Sequence, residues 1–94
     1  MIVYGFAKDY EYANDGTLMI KVRIPNIHGP YRQEMSKASY VQDKDLPWIE
    51  SVLLPHLPTE GDVVMLQSVN GSRSSDYVCI GLTGGSYYKG VTLQ

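Results

Sequence analysis

Apolar and polar positions alternate along most of the chain with a period of two residues. That is the mark of strands with two different faces rather than of helices. In the first segment Ile2, Tyr4 and Phe6 alternate with Val3, Gly5 and Ala7. Gly5 and Ala7 are small, so another strand can cross that face closely. Asn14-Asp15-Gly16 follows, and its glycine supplies the positive φ of a hairpin turn. The cleanest run comes next: Leu18, Ile20, Val22 and Ile24 face one way, and Thr17, Met19, Lys21 and Arg23 the other. The two segments are predicted to pair as a hairpin with the aliphatic face in the core.

Pro25 stops the second strand because it has no N–H for the ladder. Pro25-Asn26-Ile27-His28-Gly29-Pro30 reads as a turn, and Tyr31 to Lys44 is polar with no sustained period. A connection of that length is commonly functional or mobile. Pro47 and Pro55 bracket Trp48-Ile49-Glu50-Ser51-Val52-Leu53-Leu54. Ile49, Val52 and Leu53 have helical spacing, but the segment is short for a helix, and a short, bent third strand is the preferred reading. Val63–Val69 alternates again, with Val63, Met65, Gln67 and Val69 opposite Val64, Leu66 and Ser68. Tyr77–Leu82 is the fifth strand, with Val78, Ile80 and Leu82 on one face and Tyr77 and Cys79 on the other. Thr83-Gly84-Gly85 is expected to end it, and Val91-Thr92-Leu93 could add a short strand.

Five short strands separated by turns predict an all-β fold. One long connection between strands two and three suits a five-stranded Greek-key barrel of the OB type. A chain of 94 residues is one domain, 1–94, with room for one core. The composition, 44% hydrophobic and 19% charged, is globular and excludes wholesale disorder. Ten acids against eight bases give a net charge of −2, so the basic footprint of a strong nucleic-acid binder is missing. No apolar run approaches the ~18 residues of a membrane span. The amino terminus does not have the pattern of a signal peptide. Cys79 is a lone cysteine, which rules out an intramolecular disulfide and fits synthesis in a reducing cytoplasm.

No catalytic constellation emerges. His28, His56 and Cys79 are scattered, without the paired spacing of a metal site. Cys79 lies in an apolar strand, where a thiol is normally inert. Asp43 and Asp45, like Glu60 and Asp62, sit in polar turns, where carboxylates cap and solvate rather than catalyse. Gly84-Gly85 lacks the spacing and the following helix of a nucleotide fingerprint. The expectation is a protein that is not an enzyme and uses no cofactor or metal.

The unusual count is eight tyrosines against one phenylalanine and one tryptophan. Tyrosine suits half-buried faces and interfaces. Tyr31, Tyr40, Trp48, Tyr87 and Tyr88 are the candidate partner-interface residues. Trp48 can be either a barrel-end plug or an interface anchor. Tyr87 and Tyr88 cannot share one side of a strand, so one of them is available to a partner. Tyr31, Tyr40, Tyr87 and Tyr88 could instead stack bases beside Lys21 and Arg23, as in a single-strand-binding OB module. Glu34, Asp43, Asp45 and Glu50 lie in the same stretch of sequence and oppose that alternative.

Several segments occur in an order that resembles a known family. They are Gly5 in strand one; Lys21-Val22-Arg23-Ile24-Pro25-Asn26-Ile27-His28-Gly29; Leu46-Pro47-Trp48; Gly61-Asp62-Val63-Val64; and Ile80-Gly81-Leu82. The order resembles the OB-fold domain of phage baseplate hub proteins. That domain is the amino-terminal one of the tail-spike lysozymes of contractile phages, and is similar to the OB domains of type VI secretion spikes. The resemblance covers Tyr4–Gly85. It implies a structural part of the tail baseplate in the virion, made in the host cytoplasm. It further implies a trimeric arrangement near the tail axis, packed against hub and spike proteins, with no catalysis and no membrane insertion by this chain. The family's Asn-Asp-Pro turn is here Asn14-Asp15-Gly16. No lysozyme or spike β-helix segment follows by Gln94, so the expectation is either a small stand-alone hub component or a longer baseplate machine that supplies the spike separately.

Overall fold

In the computed structural model, which describes residues 2–31, 40–69 and 77–86, alternation becomes strand throughout. The elements are β1 (Ile2–Tyr12), β2 (Leu18–Arg23), a one-turn helix α1 (Pro25–His28), β3 (Trp48–Glu50), β4 (Asp62–Ser68) and β5 (Tyr77–Ser86), with a single 3₁₀ turn at Asp43–Asp45. They form one five-stranded antiparallel sheet in the order β3-β2-β1-β4-β5. β1 is long enough to serve two partners. Its first half, Ile2 to Phe6, pairs with β4, and Phe6 to Tyr12 pairs with β2.

The β1–β2 hairpin forms as the turn residues require. Gly16 has φ 88°, its N–H donates to Ala13 O at 2.9 Å, and Ala13 N–H donates to Thr17 O at 2.8 Å. Leu18, Ile20, Val22 and Ile24 are all buried. With Ile49, Val64, Leu66 and Cys79 they make the main core, against which Val3, Leu54 and Leu82 pack. A second, smaller cluster joins Phe6, Tyr31 and Val63. The small residues of β1 are needed: a Cβ on Gly5 would lie 3.0 Å from the Arg23 carbonyl oxygen.

Ala7 pairs with Val22 and Asp9 with Lys21, which leaves Lys8 as an extra residue, a β-bulge. Bulges re-aim side chains and deepen the strand's bend. Here the side chain so placed is Lys8, whose partners are described below.

Three readings of the sequence are corrected. The Pro25 turn is a turn of helix, since proline is accommodated at a first helical position where its missing N–H is not needed. The third strand is only Trp48–Glu50; of the helically spaced trio Ile49, Val52 and Leu53, only Ile49 is buried. β5 runs on through Gly84 and Gly85 to Ser86, which pairs with Asp62.

The edge strands approach each other. Ser51 makes an isolated parallel bridge to Cys79, and Val52 N–H donates to Cys79 O at 3.0 Å. This contact is one bridge and not a ladder, so among the described residues the sheet is not a closed cylinder.

Candidate interface surface

The connection leaving β2 is held by one buried side chain. Arg23, fully buried, donates from Nη1 to His28 O at 2.7 Å and from Nη2 to Asp43 Oδ1 at 2.8 Å and to Val41 O. Its guanidinium lies 4.4 Å from the centre of the Tyr40 ring. Alternation placed Arg23 on the outer face of β2, and it does point away from Val22 and Ile24. That side is not solvent, because the chain after β2 folds back over it. An arginine suits this place: its planar fork satisfies several acceptors at once while stacking on a ring.

His28 completes the arrangement. Its Nδ1 accepts the Ile24 N–H at 2.8 Å, so the ring proton sits on Nε2, which is buried with no partner among the described residues. Burial first, and then the positive charge of Arg23, push the imidazole down to about 4. Gly29 follows with φ 96°, and a Cβ there would stand 2.5 Å from Tyr40 Cδ1. Gly29→Ala is therefore expected to cost about 2 kcal/mol, combining left-handed backbone strain with displacement of the Tyr40 ring. The shift of the urea midpoint measures it.

The bulged Lys8 extends the network. Its Nζ lies 3.1 Å from Glu60 Oε2, 3.4 Å from Asp43 Oδ2 and 4.0 Å from the Tyr31 ring centre. The Tyr31 hydroxyl donates to Glu60 Oε2 at 3.1 Å, and its ring meets Phe6 edge-on at 5.0 Å. For Asp43, burial works against ionisation, but the hydrogen bond from Arg23 and the charge of Lys8 outweigh it and hold the carboxyl below its usual range.

The candidate interface residues are thus distributed unevenly. Tyr31 and Tyr40 are buried and their rings serve Lys8 and Arg23. Trp48 is half-buried on the outer face, with Lys21 Nζ 5.6 Å from its ring centre. Tyr87 and Tyr88 lie outside the described residues.

The outer face of β1, β2 and β3 carries two cross-strand rows. One is Asp9, Lys21 and Trp48; the next is Glu11, Met19 and Glu50. On the opposite, core-side face, at the turn end of the β1–β2 hairpin, opens an apolar groove of about 380 Å³ whose lining includes Tyr12, Leu18, Val52, Leu53, His56 and Leu57. Leu53 is 98% exposed and Tyr12 60%. The sequence reading missed this groove, because it placed Val52-Leu53-Leu54 in a short, bent third strand. The available signal was the run itself: three consecutive apolar residues cannot all face inward from one strand.

The other reactive residues do not converge, although His56 lines the groove. His28 is locked beside Arg23, while His56 is exposed with Nδ1 3.1 Å from Leu57 O. Cys79 is buried, and burial pushes its thiol up, away from the reactive thiolate. Asp62 accepts the Thr59 N–H at 2.9 Å within its turn. Among the described residues, no three His, Cys, Asp or Glu side chains converge as metal ligands, and no helix is long and apolar enough to cross a membrane. Comparison with protein-family models, curated proteins and solved structures finds no match to this chain.

Proposed function

We propose that the chain is a five-stranded Greek-key barrel of the OB type that serves as a structural adaptor in a contractile-tail baseplate, joining hub and central spike proteins in the virion. The barrel reading draws on the sheet order together with the parallel approach of Ser51 to Cys79, which brings the two edge strands together. OB barrels are partly open, so a single bridge at the seam suits them. The baseplate reading draws on the motif order from Gly5 to Leu82. A trimer around the tail axis follows from the same resemblance, as do the absence of catalysis and synthesis in the host cytoplasm before assembly.

The observation that carries the adaptor role is the groove beside Leu53. A leucine left 98% exposed, next to the exposed Tyr12, Val52 and Leu57, is a contact surface in search of a partner. The single-strand-binding alternative has Trp48 under Lys21 in its favour. Against it, Arg23 is withdrawn into the interior, and Asp9, Glu11 and Glu50 share the β1–β3 face with Lys21. An oligonucleotide titration is expected to show no salt-sensitive micromolar binding.

Purified tail particles from a producing host, digested and sequenced by mass spectrometry, are expected to contain the chain in fixed ratio to hub subunits. Its absence from every particle fraction would end the proposal. Leu53→Ser is expected to leave folding stability within about 0.5 kcal/mol of wild type, since the side chain is almost wholly in solvent. The same substitution is expected to reduce incorporation into particles.

A further inference from the structure

We infer that the outer face of β1–β3, opposite the groove, receives an arginine side chain of a neighbouring protein, seated over Met19 between Glu11 and Glu50. The inference rests on the adaptor reading and specifies the chemistry of one partner. Glu11, Met19 and Glu50 form one cross-strand row, so the two glutamates stand about two strand spacings apart, roughly 10 Å, with the methionine between them. Both carboxylates are exposed. The adjoining row is Asp9, Lys21 and Trp48, and Lys21 Nζ lies 5.6 Å from the indole centre. An apolar floor, a carboxylate on each side and an aromatic ring along one margin are the parts that hold a guanidinium.

The two glutamates differ from the other acids in having no task within the fold. Asp15 accepts the Thr17 N–H, Asp62 the Thr59 N–H and Asp9 the Tyr10 N–H, while Asp43 and Glu60 hold Lys8. Neither Glu11 nor Glu50 has a hydrogen bond or ion pair among the described residues. Glutamate is also a poor strand former, so propensity does not account for two of them in register on this face. Of the described cations, Arg23 is buried against Asp43, Lys8 is engaged by Glu60 and Asp43, Lys44 lies in the 3₁₀ turn and Lys21 occupies the adjoining row. The Met19 row is left with two negative charges and no cation. An acidic partner, or a second copy of this face, would meet like charge. Arginine suits the place better than lysine, because its planar fork donates to both carboxylates at once and stacks against an indole.

The test uses the isotope-labelled full chain and three synthetic hexapeptides that differ at one central residue: arginine, lysine, or citrulline, the uncharged isostere of arginine. NMR titration with the arginine peptide is expected to shift the Met19 methyl and the Trp48 indole N–H. The citrulline peptide should bind at least about tenfold more weakly at low salt, with lysine between the two. Raising the salt should narrow that gap. Glu11→Gln with Glu50→Gln should abolish the preference for arginine and, as a surface change, leave the urea midpoint where it was. Leu53→Ser, on the opposite face, should leave the titration unchanged. Equal affinities for arginine and citrulline, shifts confined to other residues, binding of no peptide, or a preference that survives the double substitution would overturn the inference. Particles that take up the double variant as readily as wild type, while the peptides fail to bind, would keep the adaptor and remove the arginine contact. Arginine-selective binding by a chain found in no particle would keep this contact and remove the baseplate.

Discussion

Arg23→Ala is expected to lower the free energy of unfolding by about 3–5 kcal/mol, because it empties the place of a fully buried side chain and strips buried carbonyls of their donor. For a chain of 94 residues the whole stability is on the order of 5–14 kcal/mol, so the loss is a large share. The size follows from what remains behind. The His28 and Val41 carbonyls lose this donor, Tyr40 loses the cation over its ring, and Asp43 keeps Lys8. Arg23→Lys should fall in between, because one ammonium cannot reach His28 O, Val41 O and Asp43 together or stack as a plane on Tyr40. Asp43→Asn should cost far less, since that carboxylate is half in solvent and its pairs are screened. Urea unfolding with an unchanged slope gives all three values. A loss below about 1 kcal/mol for Arg23→Ala would mean that the β2–β3 connection is not held by this residue.

How far the fold could be read in advance depends on how local its causes are. The β1–β2 hairpin was legible because its turn glycine and its two-residue period are written side by side. The burial of Ile20 and Val22 was legible for the same reason. Arg23 was not, although its direction on the strand was right. What covers it includes His28, Tyr40, Val41 and Asp43, and His28 and Asp43 lie 5 and 20 residues away, a distance over which nothing in a single sequence pairs an arginine with an aspartate. The bulge that aims Lys8 was hidden as well, since it appears only as a mismatch of register between two strands. For the surface, tyrosines drew attention to the long connection, yet Tyr31 and Tyr40 serve the interior. The exposed groove came from Val52 and Leu53, which composition alone assigns to a core.

These two outcomes have one physical origin. The connection after β2 is fastened from inside by charge and rings, so its tyrosines are turned inward. The connection after β3 holds the core through Leu54 and leaves Leu53 out. The sheet thus turns Tyr31 and Tyr40 inward and leaves an apolar face beside Leu53.

The second large effect is a dependence on pH set by His28. In the unfolded chain its imidazole takes up a proton near pH 6.5, while in the folded protein burial and the Arg23 charge delay uptake to about pH 4. Between those values the unfolded state binds more protons, so stability falls as the pH is lowered from about 6.5 to about 4. Across the window the loss amounts to about 3 kcal/mol, and below it this group takes no more. Above pH 6.5 the contribution is complete and flat. Protonation is opposed at both nitrogens: Nδ1 is occupied by the Ile24 N–H, and Nε2 has no acceptor among the described residues to share the charge. Asp43 adds its own acid sensitivity at lower pH, where carboxyls of the unfolded chain begin to protonate, so the two contributions separate on the pH axis. His28→Asn offers an oxygen in place of Nδ1 and cannot titrate. Its stability should stay level through the window in which the wild-type protein declines, when both are unfolded by urea at half-unit pH steps. Parallel curves would show that His28 gains its proton in the folded state as readily as in water, and would remove the buried arginine–histidine pair as the lock on this connection.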